Sequence, residues 1–305
     1  MVVVHGVLKN HSLKNLVEYG QKLLMSSSDS AKLDAQLLLC LVLQKDLSHL
    51  LTWPDKVIEA ALIKQYLDLL TRRYHGEPIA YITGMKEFWS LPLAVSGVTL
   101  IPRPDTEILV EQVLEVAQGQ KSLSCLDLGT GTGAIALALA SENPTWQVEG
   151  LDYSTDAVKL AQLNAKNLHL SQVDFYQSDW FSEVTKNKVF DMIVSNPPYI
   201  DRQDENLLKG DVRFEPISAL VAEDNGLADI KVIANLAREY LSAKGKLFFE
   251  HGFDQGTAVR EIMTEAGYSH AQTVKDLSGH ERVTWAVFES EYLPTDNKSE
   301  NNHIN

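Results

Sequence analysis

The chain has 305 residues, 45% hydrophobic and 22% charged, which excludes a fibrous or compositionally disordered protein and allows two folded units with cores of their own. Its formal net charge of −14 at pH 7 would repel a phosphate backbone, so free duplex DNA is a poor partner and no direct nucleic-acid contact is expected. Cys40 and Cys125 both lie inside apolar runs, as two buried reduced thiols would, rather than a disulfide or a metal site. The apolar Met1-Val2-Val3-Val4 run is too short for a signal segment, and no stretch approaches the ~18 apolar residues of a membrane span. The expectation is a cytoplasmic, monomeric protein that meets no membrane.

From residue 12 to 73 the apolar residues recur at helical spacing, which predicts a small helical unit. Asp29 or Ser30 can cap a helix that begins Ala31-Lys32-Leu33-Asp34. Trp53-Pro54-Asp55 interrupts the pattern; a further helix is predicted over 54–71, ending before His75-Gly76-Glu77-Pro78. Between 79 and 101 the β-branched and aromatic content, punctuated by Gly84 and Gly97, predicts a β-hairpin. Pro104-Asp105-Thr106-Glu107 suits a helix first turn, with proline at N1 and acids near the positive end of the dipole.

Strand and helix then alternate. Strands are predicted over 123–128, 146–151, 173–177, 189–195 and 246–250, which implies an α/β fold with a parallel sheet covered on both faces. Two last strands, 269–274 and 282–288, are joined by Ser278-Gly279-His280-Glu281 with no room for a crossover helix, so they should pair antiparallel, one reversed strand closing the sheet. The expected units are thus a helical one over 1–75, a hairpin linker over 76–103, a catalytic one over 104–290, and a polar, disordered tail over 291–305.

Asp127-Leu128-Gly129-Thr130-Gly131-Thr132-Gly133 ends the first of these strands and opens a helix, where glycines allow a tight turn and a close approach to a ligand. Its spacing departs from the dinucleotide fingerprint, and Asp127 would disfavour a pyrophosphate while suiting a ligand with an ammonium or sulfonium group. Asp152, at the end of the second strand, is placed to accept hydrogen bonds from ribose hydroxyls. Ser178-Asp179-Trp180-Phe181 adds an acceptor and an aromatic face suited to adenine, although such aromatics more often serve a core.

Asn196-Pro197-Pro198-Tyr199 follows the fourth strand. Alone it would be an ordinary turn; at this edge of an α/β sheet it is a candidate site. The prolines remove two N–H donors and leave acceptors beside the Asn196 side chain. Asn196 Oδ1 and the Pro197 carbonyl could grip both hydrogens of a planar NH2 group, with Tyr199 packed on the plane. The chemistry so indicated is transfer of a methyl group from a sulfonium centre to a planar nitrogen.

The glycine loop with Asn-Pro-Pro-Tyr resembles the amino-methyltransferase branch of the class I S-adenosylmethionine-dependent enzymes. Gly76-Glu77-Pro78-Ile79-Ala80-Tyr81, Ile101-Pro102-Arg103-Pro104-Asp105-Thr106-Glu107 and Asp211-Val212-Arg213-Phe214-Glu215-Pro216 are similar to the peptide chain release factor glutamine methyltransferases, the PrmC or HemK family. The resemblance implies an N-terminal recognition domain, a hairpin linker and a seven-stranded Rossmann-like sheet. It implies as substrate the glutamine of the Gly-Gly-Gln motif of class I release factors. It also implies that Gly129 to Gly133, Asp152, Trp180 and Asn196 contact the cofactor and that Asn196 to Tyr199 hold the glutamine. A sister family modifies a ribosomal-protein glutamine with the same loop, so that target stays open.

Two other functions compete. An adenine-N6 nucleic-acid methyltransferase also needs a planar NH2 site, but this chain lacks a basic track. A non-catalytic cofactor-binding module would not need intact Asn196 and Tyr199. His251, after Glu250 at a strand end, is a tempting acid/base partner but more often structural. The nine histidines show no ligand spacing, so no metal is expected. Arg72, Arg73, Arg103 and Arg213 could meet an acidic or RNA-bound partner but are expected as solvated surface.

Overall fold

The computed structural model describes residues 11–289; the predicted tail over 291–305 and the apolar run at residues 1–4 lie outside them. Five helices come first: α1 (Leu13–Leu24), α2 (Ala31–Leu43), α3 (Leu47–Thr52), α4 (Ala60–Tyr74) and α5 (Ile79–Thr83). Leu13, Leu16, Val17, Gly20 and Leu24 recur every three or four residues along α1, and this stripe is its buried face. Gly20 leaves room for Tyr66, whose hydroxyl reaches the carbonyls of Leu16 and Ala35 at 3.2 Å and joins three helices.

Three local predictions need correction here. Ser30 precedes α2, but its hydroxyl donates to Asp34 Oδ1 (2.8 Å) instead of capping the helix. Helix α4 begins at Ala60, not residue 54, because residues 54–57 serve α1: the Pro54 and Lys56 carbonyls accept from Lys14 N and Leu13 N, and Val57 bridges Ser12. The predicted hairpin over 79–101 is narrower, with β1 (Met85–Phe88) paired antiparallel to β2 (Leu91–Ala94). Residues 79–83 are helical despite their β-forming composition, since Pro78 starts the turn, Gly84 ends it at φ +71, and Ile82 packs into the helical core.

A 3-10 turn over Pro104–Thr106, with proline at its start as expected, leads into α6 (Glu107–Val116). There follow β3 (Ser124–Leu128), α7 (Ala134–Glu142), β4 (Gln147–Asp152), α8 (Thr155–Asn167), β5 (Asp174–Gln177) and β6 (Phe190–Ser195). Two short strands, β7 (Ile200–Asp201) and β8 (Val221–Ala222), pair parallel and close the base of the loop between them. The kinked turn α9 (Glu223–Gly226), α10 (Ala228–Leu236), β9 (Leu241–Glu250), α11 (Gly256–Glu265), β10 (Tyr268–Lys275) and β11 (Glu281–Phe288) complete the order.

The main sheet has seven strands in the order β10-β11-β9-β6-β3-β4-β5. All five predicted parallel strands form, β9 starting five residues before its predicted start at 246. One strand, β11, is reversed, as expected, but it sits between β9 and β10 and not at the edge. Buried apolar clusters cover both faces: Leu109, Leu137, Val158 and Phe175 on one, Phe190, Ile233, Phe249 and Met263 on the other. Cys40 and Cys125 are buried and unbridged. Strand order turns back at β3, which pairs with β4 on one side and β6 on the other, so a crevice opens at the carboxyl ends of these strands.

Candidate active site

A cavity of about 300 Å³ fills that crevice. Gly129, Thr130, Gly131 and Thr132 from the β3–α7 loop line it, with Asp152 from the end of β4. Asp179 and Trp180 after β5, and Asn196 and Pro198 after β6, complete the predicted part of the wall. Four predicted residues lie behind it: Asp127, Gly133, Pro197 and Tyr199. Phe181 stacks on Tyr240 at 4.7 Å and belongs to the core.

In the half of the cavity formed by β3, β4 and their loops the backbone does most of the shaping. Gly129, Gly131 and Gly133 have φ of 72, 55 and 81°, a region that disfavours a Cβ. Gly133 is also crowded: a Cβ would meet Phe175, Leu137 and Ala161 at 3.0–3.2 Å. Asp152 accepts from Gly131 N (2.9 Å) and Ser154 N (2.8 Å), which fixes its carboxylate at the cavity wall while burial raises its pKa. Asp127 is fully buried and accepts from Thr130 Oγ1 (2.6 Å) and Ala136 N (3.3 Å). Burial pushes its carboxyl up to about 7 and Asp127 Oδ1 has no hydrogen-bond partner, as does Oγ1 of Thr99 on the wall. Asp127 therefore supports the glycine loop from behind the cavity wall.

The Asn196 half is built from distant segments. Asn196 Nδ2 donates to Thr106 Oγ1 at 3.3 Å, which leaves Oδ1 as the free acceptor of that side chain. Tyr199 turns away from the cavity and donates to Glu250 Oε1 at 3.3 Å; burial and the Glu250 charge raise its pKa. Gln255 Nε2 ties the loop down by donating to the carbonyls of Tyr199 and Asn225, both at 3.0 Å. Thr106 and Glu250 are not among the site residues that the sequence predicts. His251, as expected, is structural: its ring bonds Gly252 O (2.8 Å) and Thr284 Oγ1 (2.7 Å), and burial lowers its pKa.

Arg72 and Arg213 are exposed, as expected, whereas Arg73 is buried and Arg103 half-buried. Arg73 is 7% exposed and pairs with Asp34 (2.7 Å) and Asp211 (3.1 Å), because the buried Asp34 carboxylate needs a cation. Arg103 pairs with Glu215 (2.6 Å), whose other oxygen accepts from Ile101 N (3.2 Å). Arg213 donates to His75 O (3.0 Å), and Arg72 pairs with Glu77. These contacts join three distant motifs, around 77, 103 and 213, into one interlock. It holds the 202–220 loop over the cavity, where Ser218 and Ala219 form part of the wall.

The seven-stranded sheet, its one reversed strand and the cavity at the carboxyl ends define a class I methyltransferase fold. A methyltransferase from Pyrococcus furiosus shares it, with a TM-score of 0.51 and 18% identity over 73% of this chain and 98% of the other. The methyltransferase small domain family matches residues 104–212 and the PrmC N-terminal domain family residues 15–84. The chain is 53% identical to the release factor glutamine methyltransferase of Aliivibrio fischeri, across 88% of this chain and 95% of that one. Its identity to the Vibrio cholerae enzyme of the same name is 54%, across 89% and 94%. The chain belongs to the release factor glutamine methyltransferase family.

Proposed function

We propose that this protein transfers a methyl group from S-adenosylmethionine to the side-chain amide nitrogen of the glutamine in the Gly-Gly-Gln motif of class I release factors. The observation that carries the chemistry is the Asn196 amide, anchored through Nδ2 so that Oδ1 is left to accept from a planar NH2 group. Family membership supports the substrate.

The cavity suits the cofactor on several grounds. The left-handed glycines let backbone approach a nucleoside, Asp152 offers lone pairs to vicinal hydroxyls, and Trp180 gives an apolar face. The unpartnered Asp127 Oδ1 places negative charge near a cation-bearing ligand. When bound, S-adenosylmethionine supplies an electrophilic methyl group on a sulfonium centre. An amide nitrogen is a weak nucleophile, so the protein's task is alignment and exclusion of water. Asn196 Oδ1 orients the substrate N–H bonds and stabilises the positive charge that grows on them, while Pro197 stiffens the loop that carries it. Tyr199 supports the loop from behind. The helical unit, locked to the 202–220 loop by Arg73 and Arg213, is the part we assign to recognition of the release factor.

The test is incubation with labelled S-adenosylmethionine and a class I release factor, beside the same factor with its Gly-Gly-Gln glutamine changed to alanine. Label on the first alone is the expected result. Label on both, or on neither, contradicts the assignment.

A further inference from the structure

The β6–β9 register pairs Ser195 with Phe249, so Asn196 and Glu250 leave adjacent parallel strands side by side. Thr106 arrives at the same point from another segment. It accepts from Asn196 Nδ2 and stands close enough to Glu250 to favour its charged form. Glu250 is 2% exposed; Oε1 takes the Tyr199 hydroxyl, and Oε2 has no hydrogen-bond partner. A buried carboxylate with an open lone pair is costly to keep, and in this fold it touches both anchors of the loop that carries the acceptors.

Taking the proposed amide substrate as given, we propose that Glu250 is a positioning residue that sets which end of the Asn196 amide faces that substrate, acting through the Thr106 hydroxyl. As a carboxylate Glu250 can only accept, so the protons of Tyr199 and Thr106 point toward it. The Thr106 oxygen is left to accept, and it takes Asn196 Nδ2. Asn196 Oδ1 then faces the cavity as an acceptor for the substrate NH2. Protonation of Glu250 reverses the order. The acid donates to Thr106, the Thr106 proton turns to Asn196 Oδ1, and the flipped amide sets its own NH2 against that of the substrate.

The changeover falls near neutrality, since burial pushes the Glu250 carboxyl up to about 7. Thr106, Arg282 and Tyr199 pull against that rise and Asp105 adds to it. Arg282, on β11, is itself shared with Asp105 (3.4 Å) and Asp276 (3.1 Å), and the Arg103 charge acts on Tyr199 as well. The His251 ring is engaged by Thr284 and Gly252, so it neither donates to Glu250 nor accepts from it.

The test uses the full-length protein with ¹⁵N-labelled side-chain amides, the Asn196 NH2 signals being identified by their loss in Asn196→Ala. In the wild type they should shift between about pH 6 and about pH 8, and the shift should vanish in Glu250→Gln and Thr106→Val and return in Thr106→Ser. Transfer to a release factor should follow: kcat rising roughly tenfold over that range, and pH-independent and roughly tenfold lower in Thr106→Val, with cofactor KM unchanged. Asn196 signals that titrate alike in the wild type and Thr106→Val would overturn the inference, as would an unaltered pH profile of kcat. The spectroscopic arm needs no release factor, so a wild-type protein that fails to methylate one refutes the proposed substrate while the Asn196 titration still decides the role of Glu250. Thermal melting separates misfolded variants, and Glu250→Gln and Thr106→Val are independent routes to the same reading.

Discussion

The two halves of the cavity are built in different ways. The cofactor half is local: one loop of seven residues, Asp127 to Gly133, and one carboxylate on the neighbouring strand, held by backbone N–H groups. The Asn196 half is assembled across long separations, Thr106 reaching Asn196, Tyr199 reaching Glu250, and Arg73 and Arg103 reaching the 202–220 loop. A local site depends on glycine and backbone geometry, whereas a distributed one depends on packing between elements. The first should fail by losing ligand, the second by losing alignment while ligand still binds.

The largest effect expected is on stability. Arg73→Ala leaves the buried Asp34 carboxylate without its cation and frees Asp211, at a cost of about 3–5 kcal/mol in chemical denaturation. Where the variant remains folded, transfer should fall more than cofactor affinity, because the 202–220 loop belongs to the Asn196 half. Equal losses of both would break the comparison.

Two glycine substitutions sharpen it. Gly226 has φ +82, and a Cβ there would overlap the Tyr199 carbonyl oxygen, so Gly226→Ala should displace the Asn-Pro-Pro-Tyr loop. Gly133→Ala presses instead on Phe175 and Leu137 beneath the cofactor loop. Each should destabilise by about 1–3 kcal/mol. Calorimetric cofactor binding should weaken in Gly133→Ala and hold in Gly226→Ala, and single-turnover transfer should be impaired in Gly226→Ala even with cofactor saturating.

The last expected effect concerns pH. Burial holds the carboxyls of Asp127 and Glu250 up to about 7, well above the ordinary carboxylate range, so the folded state binds these protons more tightly than the unfolded chain. Their contribution to stability is full at acid pH, below the unfolded values, and is lost as pH rises through about 7. Urea titrations between about pH 5 and pH 8 should show a decline on the order of 1 kcal/mol or more from these groups, flatter in Glu250→Gln. An identical slope in that variant would show that Glu250 does not titrate in this range.

What could be read from the sequence follows the same division. The strand ends, the glycine loop and Asp152 were legible because a parallel sheet, a tight turn and a carboxylate at a strand end are each encoded within a few residues. Thr106 and Glu250 were not, since their roles arise only when β6 and β9 lie in register and the Pro104–Thr106 turn folds back against them. Glu250 and His251 are neighbours in sequence, yet it is the acid alone that meets Tyr199. Arg73 departs from the expected solvated surface for a related reason: nothing local to it announces that Asp34 will be buried against it. Composition predicts strand over residues 79–83, where Pro78, Gly84 and the core position of Ile82 decide for a helical turn.

The central claim is that Asn196 aligns the acceptor nitrogen without being needed to hold the cofactor, and Asn196→Ala tests it most directly. Cofactor affinity and single-turnover methylation of a release factor should be measured on one preparation. Methylation slower by roughly 10²–10³ with affinity changed less than about threefold is the result predicted. Wild-type transfer, or a loss of transfer fully accounted for by lost cofactor affinity, would contradict it.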